Sequence, residues 1–364
     1  MTREITKSQG QKATGWHAWL IVAAAVVLAL TGCVSSPSTA ESAPRNVGHV
    51  FVINLENKNY LKTWGSDSVA TYLSKDLRSQ GVLLSQYYGI AHHSAPNYIA
   101  QISGQGPNSA TEGDCTVYAP FQQTGSGASD QLQGTGCVYP SSVPTLAGQL
   151  TTAGKSWKAY MEDMQTPCEH PTLGTKDNHH SAKVGDEYAT RHNPFVYFES
   201  ITASPQCQSN VLPFGQLASD LQSVGTTPNL SYISPNLCDD GHDIPCVDGS
   251  QGGLASADAW LRQQVPAILA SPAYKQDGML VITFDEADGT NAGPEGLLPG
   301  GTAGGRIGAL VLSPFIKGGT TSDTPYNHYS LLATIEDIFS LPRLGYAAAP
   351  GLKAFGTDVF NNES

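Results

Sequence analysis

Apolar positions in this chain fall into short unbroken runs separated by segments of helical period. Residues 49–55, 82–90, 157–161, 230–233, 278–284 and 307–312 are nearly continuous apolar stretches of strand length. Between them, residues 69–80, 143–153, 214–224, 256–270 and 329–341 carry the spacing of amphipathic helices, the first stopped by Gly81. A shorter helix opens at Ser94-Ala95-Pro96, with Ser94 at a capping position and Pro96 just inside. Strands without polar alternation need both faces covered. The pattern therefore predicts an α/β fold, a mostly parallel central sheet with helices on both faces. Segments 105–142 and 162–193 are rich in Gly, Ser and Cys and read as loop excursions. No internal repeat and no second domain is evident.

The N-terminus has its own pattern. Arg3, Lys7 and Lys12 precede an apolar stretch over residues 18–30, which is short for a membrane-spanning helix. It ends in Leu30-Thr31-Gly32-Cys33, which resembles a bacterial lipobox. Residues 1–32 thus read as a lipoprotein signal peptide, Cys33 as the lipidated residue and 33–46 as a flexible tether. Residues 47–364 read as a single domain, exported and held at the cell surface by a lipid anchor in the membrane, with some of it secreted.

Charge and cysteine count agree with export and narrow the function. Lys plus Arg number 19 against 31 Asp plus Glu, a net charge of −12. Removing residues 1–32 takes three cations and one anion, which leaves 16 against 30 and a net charge of −14. That balance argues against a nucleic-acid partner. With Cys33 set aside, Cys115, Cys137, Cys168, Cys207, Cys238 and Cys246 remain, enough for three disulfides. Pairing of sequence neighbours, 115–137, 168–207 and 238–246, is the simplest connectivity. A zinc site is the alternative, but no C-x-x-C pair occurs.

In open α/β sheets, function collects beyond the carboxyl ends of the strands. Here those ends carry Glu56-Asn57, His92-His93-Ser94, Asp239-Asp240-Gly241-His242-Asp243 and Asp285-Glu286, with Asn327-His328 opening the last helix. Carboxylates and an amide oxygen suit a hard divalent cation. A serine at a helix N-terminus sits where the dipole and free N–H groups favour an anion. Each feature alone is ordinary turn or cap chemistry. Together they supply charge neutralisation, a nucleophile and proton handling. The pair His179-His180 lies in a polar loop with Asp177 and Asn178 and reads as solvent-exposed.

The segments 51–57, 93–100, Arg191-His192-Asn193-Pro194, Asp240-Gly241-His242-Asp243, Thr283-Phe284-Asp285-Glu286 and Tyr326-Asn327-His328-Tyr329-Ser330 resemble, in order, the phosphoesterase family of secreted acid phosphatases and bacterial phospholipases C. That family lies in the alkaline phosphatase superfamily. The resemblance spans about residues 48–345 and implies an alkaline-phosphatase-like fold and a phosphoesterase catalytic domain. It implies that Glu56, Asn57, Asp285 and Glu286 bind one divalent metal ion, with Asp240 as an additional ligand. By the same resemblance, Ser94 is a nucleophile that forms a phosphoserine intermediate. His242 and His328 contact the phosphate or protonate the leaving group, and His93 and Arg191 are weaker assignments, Arg191 to substrate. The chain has no His-rich second cluster of the two-metal type, and Tyr98 departs from the sulfatase pattern. The expected activity is an acid phosphatase acting on small phosphate monoesters. A phospholipase C-type phosphodiesterase acting at phospholipid headgroups is the alternative on this fold. A catalytically silent ligand-binding lipoprotein is the alternative from another class.

Overall fold

The computed structural model describes residues 46–289 and 291–362. The signal peptide, Cys33 and all of the tether but Asn46 lie outside the described residues. Eight strands form the central sheet: β1 His49–Leu55, β2 Val82–Leu84, β3 Trp157–Met161, β4 Val211–Pro213, β5 Leu230–Ser234, β6 Gly278–Phe284, β7 Ala309–Leu312 and β8 Thr320–Ser322. Their order is β8-β2-β7-β6-β1-β5-β3-β4. Strand β7 runs antiparallel to both β2 and β6, and every other pairing is parallel. The sequence expectation of a mostly parallel α/β sheet holds.

Every residue of β1 and β6 is buried, so both faces of the sheet centre are covered. The principal helices are α1 Ser94–Ser103, α2 Leu146–Thr152, α3 Gly253–Ala270 and α4 His328–Ile338. Helix α1 packs on α4, and α3 packs on a π-helical turn at Tyr72–Leu77. Asp258 of α3 accepts hydrogen bonds from Tyr72 N and Leu73 N and so caps that turn.

Some elements differ from the periodicity. The helix expected over 69–80 shrinks to the π-helical turn, and the strand expected over 82–90 breaks into β2 and a short bridge at Tyr87–Tyr88. Ser94 is the first helical residue and not the cap. His93 has the extended cap conformation, and Asp114 Oδ1 accepts the Ala95 N–H at 3.0 Å in place of a side-chain cap. The loop 105–142 contains a hairpin of Gln122–Ser126 with Leu132–Thr135. All three neighbouring cysteine pairs are joined: Cys115–Cys137, Cys168–Cys207 and Cys238–Cys246. Among the described residues no helix is long and apolar enough to cross a membrane.

Register brings the chemistry together. Leu55 pairs with Phe284, and Ile53 with Ile233, so β1, β5 and β6 end side by side. Beyond them Asp285 N donates to Leu55 O and Glu56 N to Asp240 O, each at 2.9 Å. The turn that carries Asp240 needs Gly241, whose φ of 94° strains any other L residue.

Candidate active site

At the end of β1 the chain turns through Asn57, whose φ of 45° is tolerated by Asn better than by most residues. Asn57 N donates to Asp285 Oδ1 at 3.1 Å, which sets the two strand ends against each other. Glu56 and Asp285 are wholly buried and Glu286 nearly so. Asn57 directs its amide oxygen at two acceptors, Glu286 Oε1 and Asp285 Oδ1, each at 3.2 Å. Such a meeting of lone pairs is unfavourable unless a cation lies among them or the amide turns over. Asp285 Oδ2 is buried with no hydrogen-bond partner. A buried orphan carboxylate oxygen beside a second carboxylate and an amide oxygen fits a hard divalent ion.

The electrostatics agree. Burial, then Asp285 and Asp240, holds the Glu56 carboxyl well above the usual range. Burial pushes Asp285 up to about 6, although N–H groups of Asn57 and Glu286 pull it back. Burial and Asp285 also raise Glu286, and burial raises Asp240. These carboxyls resist ionising together without positive charge between them.

Helix α1 delivers Ser94 to this group. Ser94 Oγ donates to Glu56 Oε2 at 3.0 Å, and Tyr98, one turn on, donates from its hydroxyl to Glu56 Oε1 at 2.6 Å. Asn97 Nδ2 reaches Glu286 Oε2 at 3.3 Å. His93 points elsewhere: it is half-exposed, with Nδ1 3.4 Å from Asp114 Oδ2.

A second set of residues flanks Glu56. His192, buried and stacked on Tyr98 with ring centroids 5.0 Å apart, lies between two carboxylates. Its Nε2 is 3.3 Å from Glu56 Oε1 and its Nδ1 3.1 Å from Asp240 Oδ2. Glu56, His192 and Asp240 together make a grouping compact enough for a metal ion. Asp240 Oδ1 accepts the His242 N–H at 2.7 Å. His242 is partly exposed, with Nδ1 2.7 Å from Asp243 Oδ1 and Nε2 3.5 Å from Arg191 Nη2. In the neutral ring, Nδ1–H donates to Asp243 and the Nε2 lone pair faces the guanidinium. Arg191 is buried, and its charge favours ionisation of Glu56, Asp240 and Glu286.

Sequence reasoning gave His192 no site role, although it stands next to Arg191 in one of the motifs, and used Tyr98 only against the sulfatase pattern, although its i+4 spacing from Ser94 was a readable signal. It also missed Lys58. The ammonium of Lys58 donates to the carbonyls of Glu56, Asn57 and Gly241 at 3.2, 3.0 and 2.8 Å, tying the first strand end to the Asp240 turn.

Two histidines lie in surroundings that the sequence did not lead one to expect. His328 does not open onto the carboxylates. It is fully buried, with Nε2 2.6 Å from the Asp285 carbonyl and Nδ1 3.2 Å from both Tyr87 Oη and Gln101 Nε2. Burial lowers its pKa to about 4, so the ring is a neutral support for the Asp285 backbone. His179 is not solvent-exposed: its side chain is 7% accessible and wedged between Glu169 and Asp186.

The fold is similar to that of a solved protein of the alkaline phosphatase superfamily. A member of that superfamily from Vibrio parahaemolyticus superposes with a TM-score of 0.50 at 9% identity, over 85% of this chain and 72% of that one. The sulfatase PsFucS1 from Pseudoalteromonas sp. likewise gives 0.50 at 10% identity, over 87% and 72%. The chain belongs to the Phosphoesterase family, whose profile matches residues 45–342. It is 27% identical over 299 residues to a probable acid phosphatase of Kluyveromyces lactis, covering 81% of this chain and 59% of the yeast protein. It is 26% identical over 343 residues to the phosphatidylinositol-3-phosphatase of Mycobacterium tuberculosis, covering 94% and 92%. A phosphate-repressible acid phosphatase of Penicillium chrysogenum is 30% identical over 273 residues, covering 75% and 55%. The chain thus spans little more than half of the two fungal relatives and nearly all of the mycobacterial one.

Proposed function

We propose that the chain is an exported, metal-dependent phosphoester hydrolase that acts on phosphate monoesters through Ser94. The observation that carries this reading is the contact of Ser94 Oγ, at the N-terminus of a ten-residue helix, with Glu56 in the unsatisfied carboxylate group. Glu56, Asn57, Asp285 and Glu286 would hold one divalent ion, with Asp240 and His192 beside them. The ion, when bound, supplies neutralisation of phosphoryl charge and lowers the cost of an alkoxide at Ser94. Ser94 Oγ attacks phosphorus as its proton passes towards Glu56, and the ester oxygen leaves with a proton. His242, oriented by Asp243 and open to solvent, is suited to give that proton and then to take one from the water that cleaves the phosphoserine. The α1 N-terminus and Arg191 bind the remaining phosphoryl oxygens. His328 and Lys58 brace the backbone of the ligand-bearing turns.

Export, lipidation at Cys33 and tethering of one catalytic domain complete the proposal. Three disulfides support the export reading, because such bonds persist in oxidising compartments.

A second reading, a phosphodiesterase acting on phospholipids, draws support from one feature. A groove of about 540 Å³ beside Lys58 is lined by Leu61, Val69, Ile244 and Leu254, the first three strongly exposed. Exposed apolar surface of this kind suits an acyl chain. A panel of p-nitrophenyl phosphate, bis-p-nitrophenyl phosphate and phosphatidylcholine vesicles, with and without chelator, decides among the readings. Chelator-sensitive monoester turnover that vanishes in Ser94→Ala is the expected result. Faster diester or vesicle cleavage moves the assignment to the second reading, and no turnover of any substrate leaves only ligand binding.

A further inference from the structure

Arg191 is 3% accessible, yet its hydrogen-bond partners are a carbonyl and an imidazole, not a carboxylate. Buried guanidinium groups usually meet an anion, and this one retains donors for it. What holds the side chain is Nη1 donating to His180 O at 2.6 Å. His180 lies in the polar excursion after β3, where Leu173 and Val184 are largely exposed and cannot anchor the loop in the core. Backbone hydrogen bonds of Gly174, Thr175 and Asp177 to Thr116 and Tyr118 pin its first half, and the residue preceding His180 ties in the rest. His179 Nε2 lies 3.2 Å from Asn178 Nδ2 and 3.4 Å from Glu169 Oε1, and His179 Nδ1 lies 3.4 Å from Asp186 Oδ1 without a hydrogen bond, so one ring sits between the two carboxylates.

Two further links join this clasp to the Thr190–His192 turn. Asp177 Oδ1 accepts both the His179 N–H at 2.8 Å and the Thr190 hydroxyl at 2.9 Å. The Tyr188 ring packs on His179 at 5.3 Å, and its hydroxyl donates to Glu169 O at 3.1 Å. Lys183 adds a pair with Asp186 at 3.8 Å.

We propose that His179 is a positioning residue: by clasping Glu169 to Asp186 it fixes the His180 carbonyl and thereby holds Arg191 where a phosphoryl oxygen binds. The idea rests on the phosphoester reading above. His179 touches neither substrate nor metal ligands, and its effect passes entirely through Arg191. Loss of the clasp therefore weakens phosphate binding more than it slows the chemical step.

The test is a double-mutant cycle on the metal-loaded, full-length protein, using His179→Gln, Arg191→Gln and the double variant. The readouts are KM and kcat for p-nitrophenyl phosphate and the inhibition constant of inorganic phosphate. Contacting residues couple, so His179→Gln is expected to raise KM and the phosphate inhibition constant about tenfold, with kcat within about threefold. In the Arg191→Gln background the same change should alter either constant by less than about twofold. Glu169→Gln, which cuts one arm and leaves the ring in place, should act in the same direction and serves if His179→Gln does not fold. Fold-changes that multiply independently, or a kcat loss at constant KM, overturn the proposal while leaving the phosphoester reading intact. A wild-type protein that neither hydrolyses phosphoesters nor binds inorganic phosphate overturns both.

Discussion

The carboxylate group at the ends of β1 and β6 and the N-terminus of α4 are both buried, both polar and joined by one hydrogen bond, yet they are finished to different degrees. At α4, Asn327 accepts from the N–H groups of Tyr329 and Ser330, the Ser330 hydroxyl answers the Asn327 N–H, and both nitrogens of His328 are occupied. At the strand ends, Asp285 Oδ2 is buried with no hydrogen-bond partner, and Asp240 Oδ2 has His192 Nδ1 3.1 Å away without a hydrogen bond. Polar groups with all their bonds made hold a structure. Polar groups arranged against one another and left unmet are where a ligand is owed. The comparison separates two motifs that look equally catalytic along the chain.

The sharpest way to break it is at Ser94. Ser94→Ala should cut kcat by at least about a thousandfold, since the attacking oxygen is gone. Ser94 is not the helix cap, but its buried hydrogen bond to Glu56 is lost, so a denaturant melt should show a cost of about 1–3 kcal/mol. Retained turnover in the folded variant would remove Ser94 as nucleophile.

Next is the metal. Chelated protein should lose turnover and unfold at lower temperature, and readdition of a divalent ion at a hundred times its Kd should restore about 2.7 kcal/mol. Elemental analysis of active protein that finds no metal would sink the assignment of Glu56, Asn57, Asp285 and Glu286.

The same carboxylates set a pH signature. Burial raises the pKa of Asp285 in the folded state to about 6, above the ordinary carboxylate value of about 4. Between these values the folded chain binds more protons than the unfolded one, so stability falls as pH rises. Calorimetry of chelated protein should therefore give a Tm that declines from pH 4 to 6, and metal-loaded protein should show a shallower decline, since burial also raises Glu162, Glu187 and Glu336 outside the site. Parallel profiles for the two forms would count against a cation among these groups.

His328 offers a milder test. His328→Gln should cost about 1–3 kcal/mol, the penalty for disturbing buried hydrogen bonds, while the pH–rate profile keeps its shape. His242→Gln should lower the rate and change that shape. A profile altered only by the His328 variant would return it to the chemistry. A last test opens the loop that carries Asp240 and His242: replacing Cys238 and Cys246 by Ser should cost about 2–3 kcal/mol in a denaturant melt.

Much of this was legible along the chain because the determining forces are local. Strands β3 and β6 begin and end where the apolar runs do, since a strand covered on both faces favours apolar residues at most positions, Lys158 of β3 being an exception. Glu56-Asn57 and Asp285-Glu286 could be placed at strand ends from the same runs, which the structure then sets side by side, and the cysteines paired with their nearest neighbours. What the chain could not announce was which histidines are enclosed and by whom. His328 looked like His242 until α4 docked it against Tyr87, Gln101 and the Asp285 carbonyl, contacts drawn from residues 241, 227 and 43 positions away. His179 looked like a loop residue until Glu169 and Asp186 closed on it, and His192 had no site role until Glu56 and Asp240 flanked it. Period and spacing carry the energetics of burying a backbone in a strand or helix, which each segment expresses for itself. The state of an imidazole depends on desolvation and on the carboxylates around it, and those are settled only when distant segments meet.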